Sequence, residues 1–170
     1  MIQTLSKTRF LSEIDENTSL IENRRMKLIL LVAPPSSGKT ELLRILVEKE
    51  PEKFSYINLN KELSYILQNV PNKERPFIIS ESLNKIITSK NHIILLDNTE
   101  ILFDLELRIN PIQSLEQLSR NKVIIASWNG QLKDSFLTYA QPNHKEYYRC
   151  SSKDKMIIKL DEENLGRNLC

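Results

Sequence analysis

The apolar run Leu28-Ile29-Leu30-Leu31-Val32 leads into Ala33-Pro34-Pro35-Ser36-Ser37-Gly38-Lys39-Thr40, and then into Glu41-Leu42-Leu43-Arg44-Ile45-Leu46-Val47, which has helical spacing. Buried strand, Gly-Lys-Thr loop and helix, in that order, form the context that gives the P-loop (Walker A) pattern its meaning. Loop N–H groups and the N-terminus of the following helix point at phosphates. A glycine lets the backbone approach closely, a lysine reaches the β- and γ-phosphates, and a threonine hydroxyl binds Mg²⁺. The chain has only three glycines, and Gly38 stands where the motif needs one. The candidate nucleotide-binding residues are therefore Pro35, Ser36, Ser37, Gly38, Lys39, Thr40 and Glu41, for ATP or ADP with Mg²⁺. Ala33 replaces the first glycine of the pattern. Pro34 and Pro35 stiffen the loop and remove two N–H donors at its start, leaving the later ones to bind phosphate. Lys39 is expected to be exposed in the loop, free to meet phosphate charge. The alternative, a chance Gly-Lys-Thr at a helix start, does not account for the strand and helix on either side.

At 170 residues and 40% hydrophobic content the chain is long enough for one domain with a full core. Residues 1–24 read as an N-terminal helical segment and residues 25–170 as the P-loop core of that domain. A net charge of +2 argues against a nucleic-acid-coating protein, and no charge run reads as a tail. The longest apolar stretch is far too short to span a bilayer, and the N-terminus lacks a secretory pattern. Two cysteines, Cys150 and Cys170, make no disulfide or zinc framework and read as reduced thiols in a cytoplasm. His92 and His144 are isolated and receive no metal or catalytic role.

Apolar strand-like runs alternate with helical patterns, which predicts an α/β fold with a parallel sheet. Strands are expected over Lys27–Val32, Lys53–Asn58, His92–Asp97 and Lys122–Ser127, with a fifth at Glu146–Cys150 and an edge strand at Met156–Leu160. Helices are expected over Gly38–Glu50, around Leu63–Val70, over Pro76–Lys90, around Leu132–Tyr139, and after Asn110 as N-cap with Pro111 at the first helical position. The expected fold is a P-loop three-layer sandwich on a mostly parallel five-stranded sheet, of the additional-strand (AAA/RecA-like) class, without a C-terminal helical lid.

A P-loop protein also needs an acidic group that ends a buried strand, because ligands bind outside the carboxyl ends of parallel strands. Asp97 fits this Walker B role, and Thr40 and Asp97 are the candidate metal-holding pair. Hydrolysis further needs a group to orient or deprotonate water. Many P-loop ATPases place a glutamate directly after the Walker B aspartate, but here that position is Asn98, which cannot act as a base. Glu100 is the nearest carboxylate. It is open to two readings, a catalytic base swung in by the turn or a helix-start glutamate favoured by the dipole. The fourth strand ends in Ser127-Trp128-Asn129-Gly130. Asn129 is the first choice and Ser127 the second for a polar sensor near the γ-phosphate, with turn chemistry as the alternative. Lys39, Glu100 and Asn129 are thus the candidate catalytic residues. Trp128 reads as core ahead of a base-stacking platform or a partner contact. Arg108 and Arg120 read as surface arginines, with an arginine finger toward a neighbouring subunit as the other role.

Together these segments resemble a known family. The octet at 33–40, Tyr56-Ile57-Asn58-Leu59-Asn60, Leu95-Leu96-Asp97-Asn98-Thr99-Glu100-Ile101-Leu102-Phe103, and Leu118-Ser119-Arg120-Asn121-Lys122 leading to Ala126-Ser127-Trp128-Asn129-Gly130 resemble the BrxF family. These are small P-loop, AAA-like proteins of type 3 bacteriophage-exclusion (BREX) defence systems. The resemblance spans residues 25–150. It implies ATP binding, a role in phage defence beside other BREX proteins, and DNA association through those partners. A homo-oligomer stays open, and no membrane partner is expected. Four functions compete: an accessory Mg-ATPase that is slow or partner-dependent, a nucleotide switch or DNA-associated adaptor without hydrolysis, a small-molecule P-loop kinase, and a DNA-binding subunit. No arginine-rich lid supports the kinase, and no basic stripe supports direct DNA binding.

Overall fold

The computed structural model describes residues 2–5, 7–88 and 93–160. Strand β1 is Ile2–Leu5, helix α1 Lys7–Ile21, β2 Leu28–Ala33, α2 Lys39–Lys49, β3 Phe54–Asn58, α3 Leu59–Leu67, α4 Arg75–Thr88 and β4 Ile93–Asp97. Two short 3-10 helices, Thr99–Phe103 and Leu105–Leu107, lead to α5 at Pro111–Leu118. Then come β5 Val123–Lys133, β6 Phe136–Tyr139, β7 Tyr148–Ser151 and β8 Met156–Leu160. His92, Cys170 and the tail after Leu160 lie outside the described residues.

The main sheet runs β1-β8-β2-β5-β4-β3, and every pairing along it is parallel. β5 lies between the phosphate-loop strand β2 and the aspartate strand β4, which defines the additional-strand class of P-loop folds. Alternation along the strands builds two cores. Leu28, Leu30 and Val32 face one core with Ile94, Leu96, Ile124, Ala126 and Trp128, covered by α3, α4, α5 and the 3-10 turns. Ile29, Leu31 and Ala33 face the other with Leu95 and Ile125, covered by Phe10 and Ile14 of α1 and Leu42, Leu43 and Leu46 of α2. The central strands are buried on both faces and so read as unbroken apolar runs. The molecule is a three-layer α/β/α sandwich.

Local chemistry sets two helix starts, of which the one at Asn110 was expected. The Asn58 side chain accepts the Lys61 N–H at 3.1 Å and starts α3 directly at the end of β3. Asn110 accepts the Gln113 N–H at 3.2 Å, and Pro111 holds the first turn of α5.

Four expectations are corrected. The first 24 residues are not one helix, because β1 precedes α1 and pairs with β8. Met156–Leu160 is therefore an interior strand between β1 and β2, and the sheet exceeds the expected five strands. Residues 132–139 form no helix. β5 continues to Lys133 and turns through Asp134 and Ser135, both at positive φ, into an antiparallel hairpin with β6. The segment expected as the fifth parallel strand is β7, which pairs with β6 antiparallel and off the main sheet.

The hairpin is fastened to the core. Trp128 is fully buried and its indole N–H donates to the Thr138 carbonyl at 2.9 Å. Phe103 stacks on Tyr139 at 3.8 Å and meets Trp128 and Tyr148 edge-on at 5.2 and 5.6 Å. Gly130 allows this closeness, since a Cβ there would lie 1.8 Å from the Thr138 carbonyl oxygen. Gly130→Ala is expected to push the hairpin off the core and cost about 1–3 kcal/mol. A melting temperature several degrees lower checks this, and an unchanged one contradicts it.

Candidate nucleotide site

The parallel register brings three strand ends together. Ala33 of β2 is opposite Asn129 of β5, and Asp97 of β4 is opposite Asn58 of β3. The phosphate loop leaves β2 at this edge, with Ser36 (φ 60) and Gly38 (φ 81) in the left-handed region. Glycine adopts that conformation freely; a serine there is uncommon and marks a loop shaped at some cost. No side chain caps α2, and a helix start without a side-chain cap suits an anion. Pro35, Ser36, Ser37, Gly38, Lys39, Thr40 and Glu41 line an open cleft of ≈ 500 Å³ together with Arg44, Asp97, Asn98 and Asn129. All seven residues expected to bind nucleotide thus lie in one cavity wall.

Lys39 departs from its expected exposure. It is only 5% exposed, and its ammonium donates to the carbonyls of Ala33 at 2.9 Å and Pro34 at 2.6 Å and to Ser37 Oγ at 3.0 Å. The side chain folds back along the loop, where those oxygens replace its water. Burial pushes its pKa down to about 8, against the opposing pull of Glu100 and Asp97.

Asp97 is 2% exposed. Its Oδ2 accepts from the Thr40 hydroxyl at 2.6 Å and from the Tyr56 hydroxyl at 2.9 Å. Burial, with the Asp97 charge adding to it, pushes the Tyr56 phenol up to about 12, so it stays protonated and donating at neutral pH. The Arg44 guanidinium lies 5.7 Å from the Tyr56 ring centre. Tyr56 and Arg44 are members of the site that the sequence did not reveal. A tyrosine in a strand reads as an ordinary β-former, and an arginine on a helix as solvated surface.

Asn98 takes a left-handed conformation (φ 53, ψ 54), so the chain turns at once into the first 3-10 helix. The Thr99 hydroxyl, buried, donates to the Ser127 carbonyl at 2.6 Å and pins this turn to β5. Glu100 does not line the phosphate cleft. It lines an adjoining cleft with Pro34, Pro35 and Asn129, close enough for its charge to act on Lys39. Burial raises the Glu100 carboxyl above its usual range, with Asp97 adding to the rise and Lys39 opposing it. Asn129 lines both clefts, whereas Ser127 is buried and lines neither. Arg108 and Arg120 are exposed and line neither cleft.

No protein-family model matches the chain. No curated protein matches it. Among solved structures it is similar to PCH-2 from C. elegans, at 18% identity and TM-score 0.47, over 91% of this chain and 42% of that one. It is also similar to a katanin structure, at 13% identity and TM-score 0.41, over 74% of this chain and 49% of the other. A third is a DNA replication initiation factor, at 14% identity and TM-score 0.47, over 94% and 49%. The chain spans less than half of each of these structures. Such likeness reaches no further than the fold, and the fold class rests on the strand order itself.

The depressed Lys39 pKa predicts a pH dependence. Above pH 8 the folded lysine loses its proton while the unfolded one holds its own up to the ordinary lysine value of 10.5. The unfolded state then binds more protons, so Lys39 makes stability rise with pH between 8 and about 10. Above pH 10 the raised Tyr56 phenol works in the opposite direction. Denaturant unfolding of ligand-free protein at pH 7.5, 8.5 and 9.5 is expected to show a gain that Lys39→Met lacks; equal pH profiles for the two contradict it.

Proposed function

We propose that this protein is a cytoplasmic Mg-ATP-binding P-loop module that works as an accessory ATPase or nucleotide-dependent switch in bacterial anti-phage (BREX) defence. The observation that carries nucleotide binding is the meeting of Lys39, Thr40 and Asp97 on one cleft beneath an uncapped helix start. Hydroxyl and carboxylate oxygens are the donors that Mg²⁺ takes, usually together with substrate phosphates. Thr40 and Asp97 would hold the ion, and Mg²⁺ would neutralise phosphate charge. Lys39 would exchange its loop carbonyls for the β- and γ-phosphates. Glu100, its proton affinity raised by burial, would take a proton from the attacking water, and Asn129 would orient that water or the γ-phosphate. The defence role and the other BREX proteins as partners rest on the resemblance carried by residues 25–150. Association with DNA is assigned to those partners, and a homo-oligomer would bring Arg108 or Arg120 to a neighbouring site.

A second reading, nucleotide binding without useful hydrolysis, is favoured by one observation. The residue directly after Asp97 is an asparagine, and Glu100 lines the adjoining cleft instead of the phosphate cleft itself.

Mg-ATP at about a hundred times its dissociation constant is expected to add roughly 2.7 kcal/mol of stability and raise the melting temperature by several degrees. Lys39→Ala is expected to lose this shift while remaining folded; no shift in the parent protein sinks the proposal. Phosphate release by the isolated chain is expected to be slow or undetectable, because neither Arg108 nor Arg120 lines the phosphate cleft and an arginine finger alone is worth about 10³–10⁵ in rate. Glu100→Gln is expected to remove whatever activity partners elicit while ATP still binds. Retained activity in that variant makes Glu100 a helix-start residue only, and rapid turnover by the single chain contradicts this account of the site.

A further inference from the structure

The cleft beside the phosphate site has walls that the P-loop core does not require. It measures ≈ 540 Å³, and most of its lining comes from the hairpin and the loop after it. That volume is in the range of small-ligand pockets, about 300–1,000 Å³. The Trp128–Thr138 hydrogen bond and the Phe103–Tyr139 stack fasten its hairpin wall to the core, so the cleft is largely preformed. Ala140, a non-glycine residue at φ 58, shapes the turn out of β6 along this wall. Such backbone outliers cluster at functional sites.

The lining chemistry selects a ligand class. Tyr139 and Tyr147 supply aromatic rings, and Asn129, Gln131 and Gln141 supply carboxamides, each both donor and acceptor. A purely apolar ligand would leave those carboxamides unpaired. A strongly anionic one would find a single lysine, Lys133, and would face Glu100. A flat heterocycle with hydrogen-bond donors and acceptors on its edge uses both features, because bases stack on aromatic side chains and pair with asparagine and glutamine. We propose that this cleft is a second ligand site that takes an uncharged nucleobase, from a free nucleoside or from a single strand whose phosphates stay outside the cleft. Its position gives it a means of control. Asn129, Pro34 and Pro35 border both the cleft and the phosphate loop, and Phe103, stacked on Tyr139, ends the same 3-10 helix that carries Glu100. A base bound here would bear on the residue proposed as the catalytic base. That regulatory step rests on the proposed function, whereas binding in the cleft does not.

The test first saturates the phosphate site with Mg-ADP. Uncharged nucleosides (adenosine, guanosine, cytidine, thymidine) and a short mixed-sequence single-stranded oligonucleotide are then titrated by calorimetry, and by fluorescence of Trp128, the only tryptophan. Saturable one-to-one binding of at least one nucleoside or of the oligonucleotide is expected, weakened about tenfold by Tyr147→Ala and by Gln141→Ala with Mg-ADP affinity unchanged. Tyr147 is 36% exposed, so its loss leaves the core intact. Tighter binding of the oligonucleotide identifies a single strand as the source, and binding of nucleosides alone identifies a free metabolite. No binding to the folded, ADP-loaded protein, or binding that both substitutions leave unaltered, overturns the proposal. Lys39→Ala separates the two sites: it is expected to lose Mg-ADP and keep the nucleoside, so failure at one site is read apart from failure at the other.

Discussion

The hydrogen bond from Thr40 to Asp97 joins the two halves of the site. One residue lies in the first turn of α2, the other ends β4, and 2.6 Å separates their oxygens. That distance depends on register, since β5 must lie between β2 and β4, and those two must end at one edge of the sheet. Each strand is buried on both faces, and its alternate residues are committed to different cores. A slip by one residue would exchange every side chain between the cores, so hydrophobic burial fixes the register, and the register fixes the site. Tyr56 adds a second donor to the same carboxylate oxygen, and burial keeps its phenol protonated. Two hydroxyls thus hold the same carboxylate oxygen of the aspartate.

The hairpin and the turn after Asp97 form one packed unit. Thr99 bonds to the Ser127 carbonyl, Phe103 stacks on Tyr139, and Trp128 bonds to the Thr138 carbonyl. Glu100 lies between the first two of these anchors in the chain. A movement of the hairpin would therefore pass through Phe103 to the turn that carries Glu100. Through this packed link a ligand in the adjoining cleft would bear on the proposed nucleotide site.

The core was legible in the sequence for simple reasons. The runs Leu28–Val32, Ile93–Leu96 and Val123–Ala126 are apolar because both faces are buried, and Pro111 after Asn110 marks a helix start by its own chemistry. The phosphate loop and Asp97 were legible because they combine a motif with a strand end. The hairpin was not, because Leu132, Phe136, Leu137 and Tyr139 satisfy a helical spacing as well as two short strands joined by an Asp134-Ser135 turn. Its turn carries no glycine, which is the usual signal. β8 was read as an edge strand because its neighbour β1 comes from the other end of the chain. The burial of Lys39 leaves no mark in the sequence because two of its three partners are backbone carbonyls, which every residue possesses.

The central claim is that Thr40 and Asp97 hold a divalent ion against nucleotide phosphates beside Lys39. Electron paramagnetic resonance with Mn²⁺ in place of Mg²⁺ tests it directly, because ³¹P hyperfine coupling reports phosphate oxygen on the metal. The account predicts one tightly held Mn²⁺ per chain when ATP is present, with ³¹P coupling, and loss of that signal in Asp97→Asn and Thr40→Val. Mn²⁺ that binds without phosphorus coupling, or an unchanged signal in both variants, would contradict it.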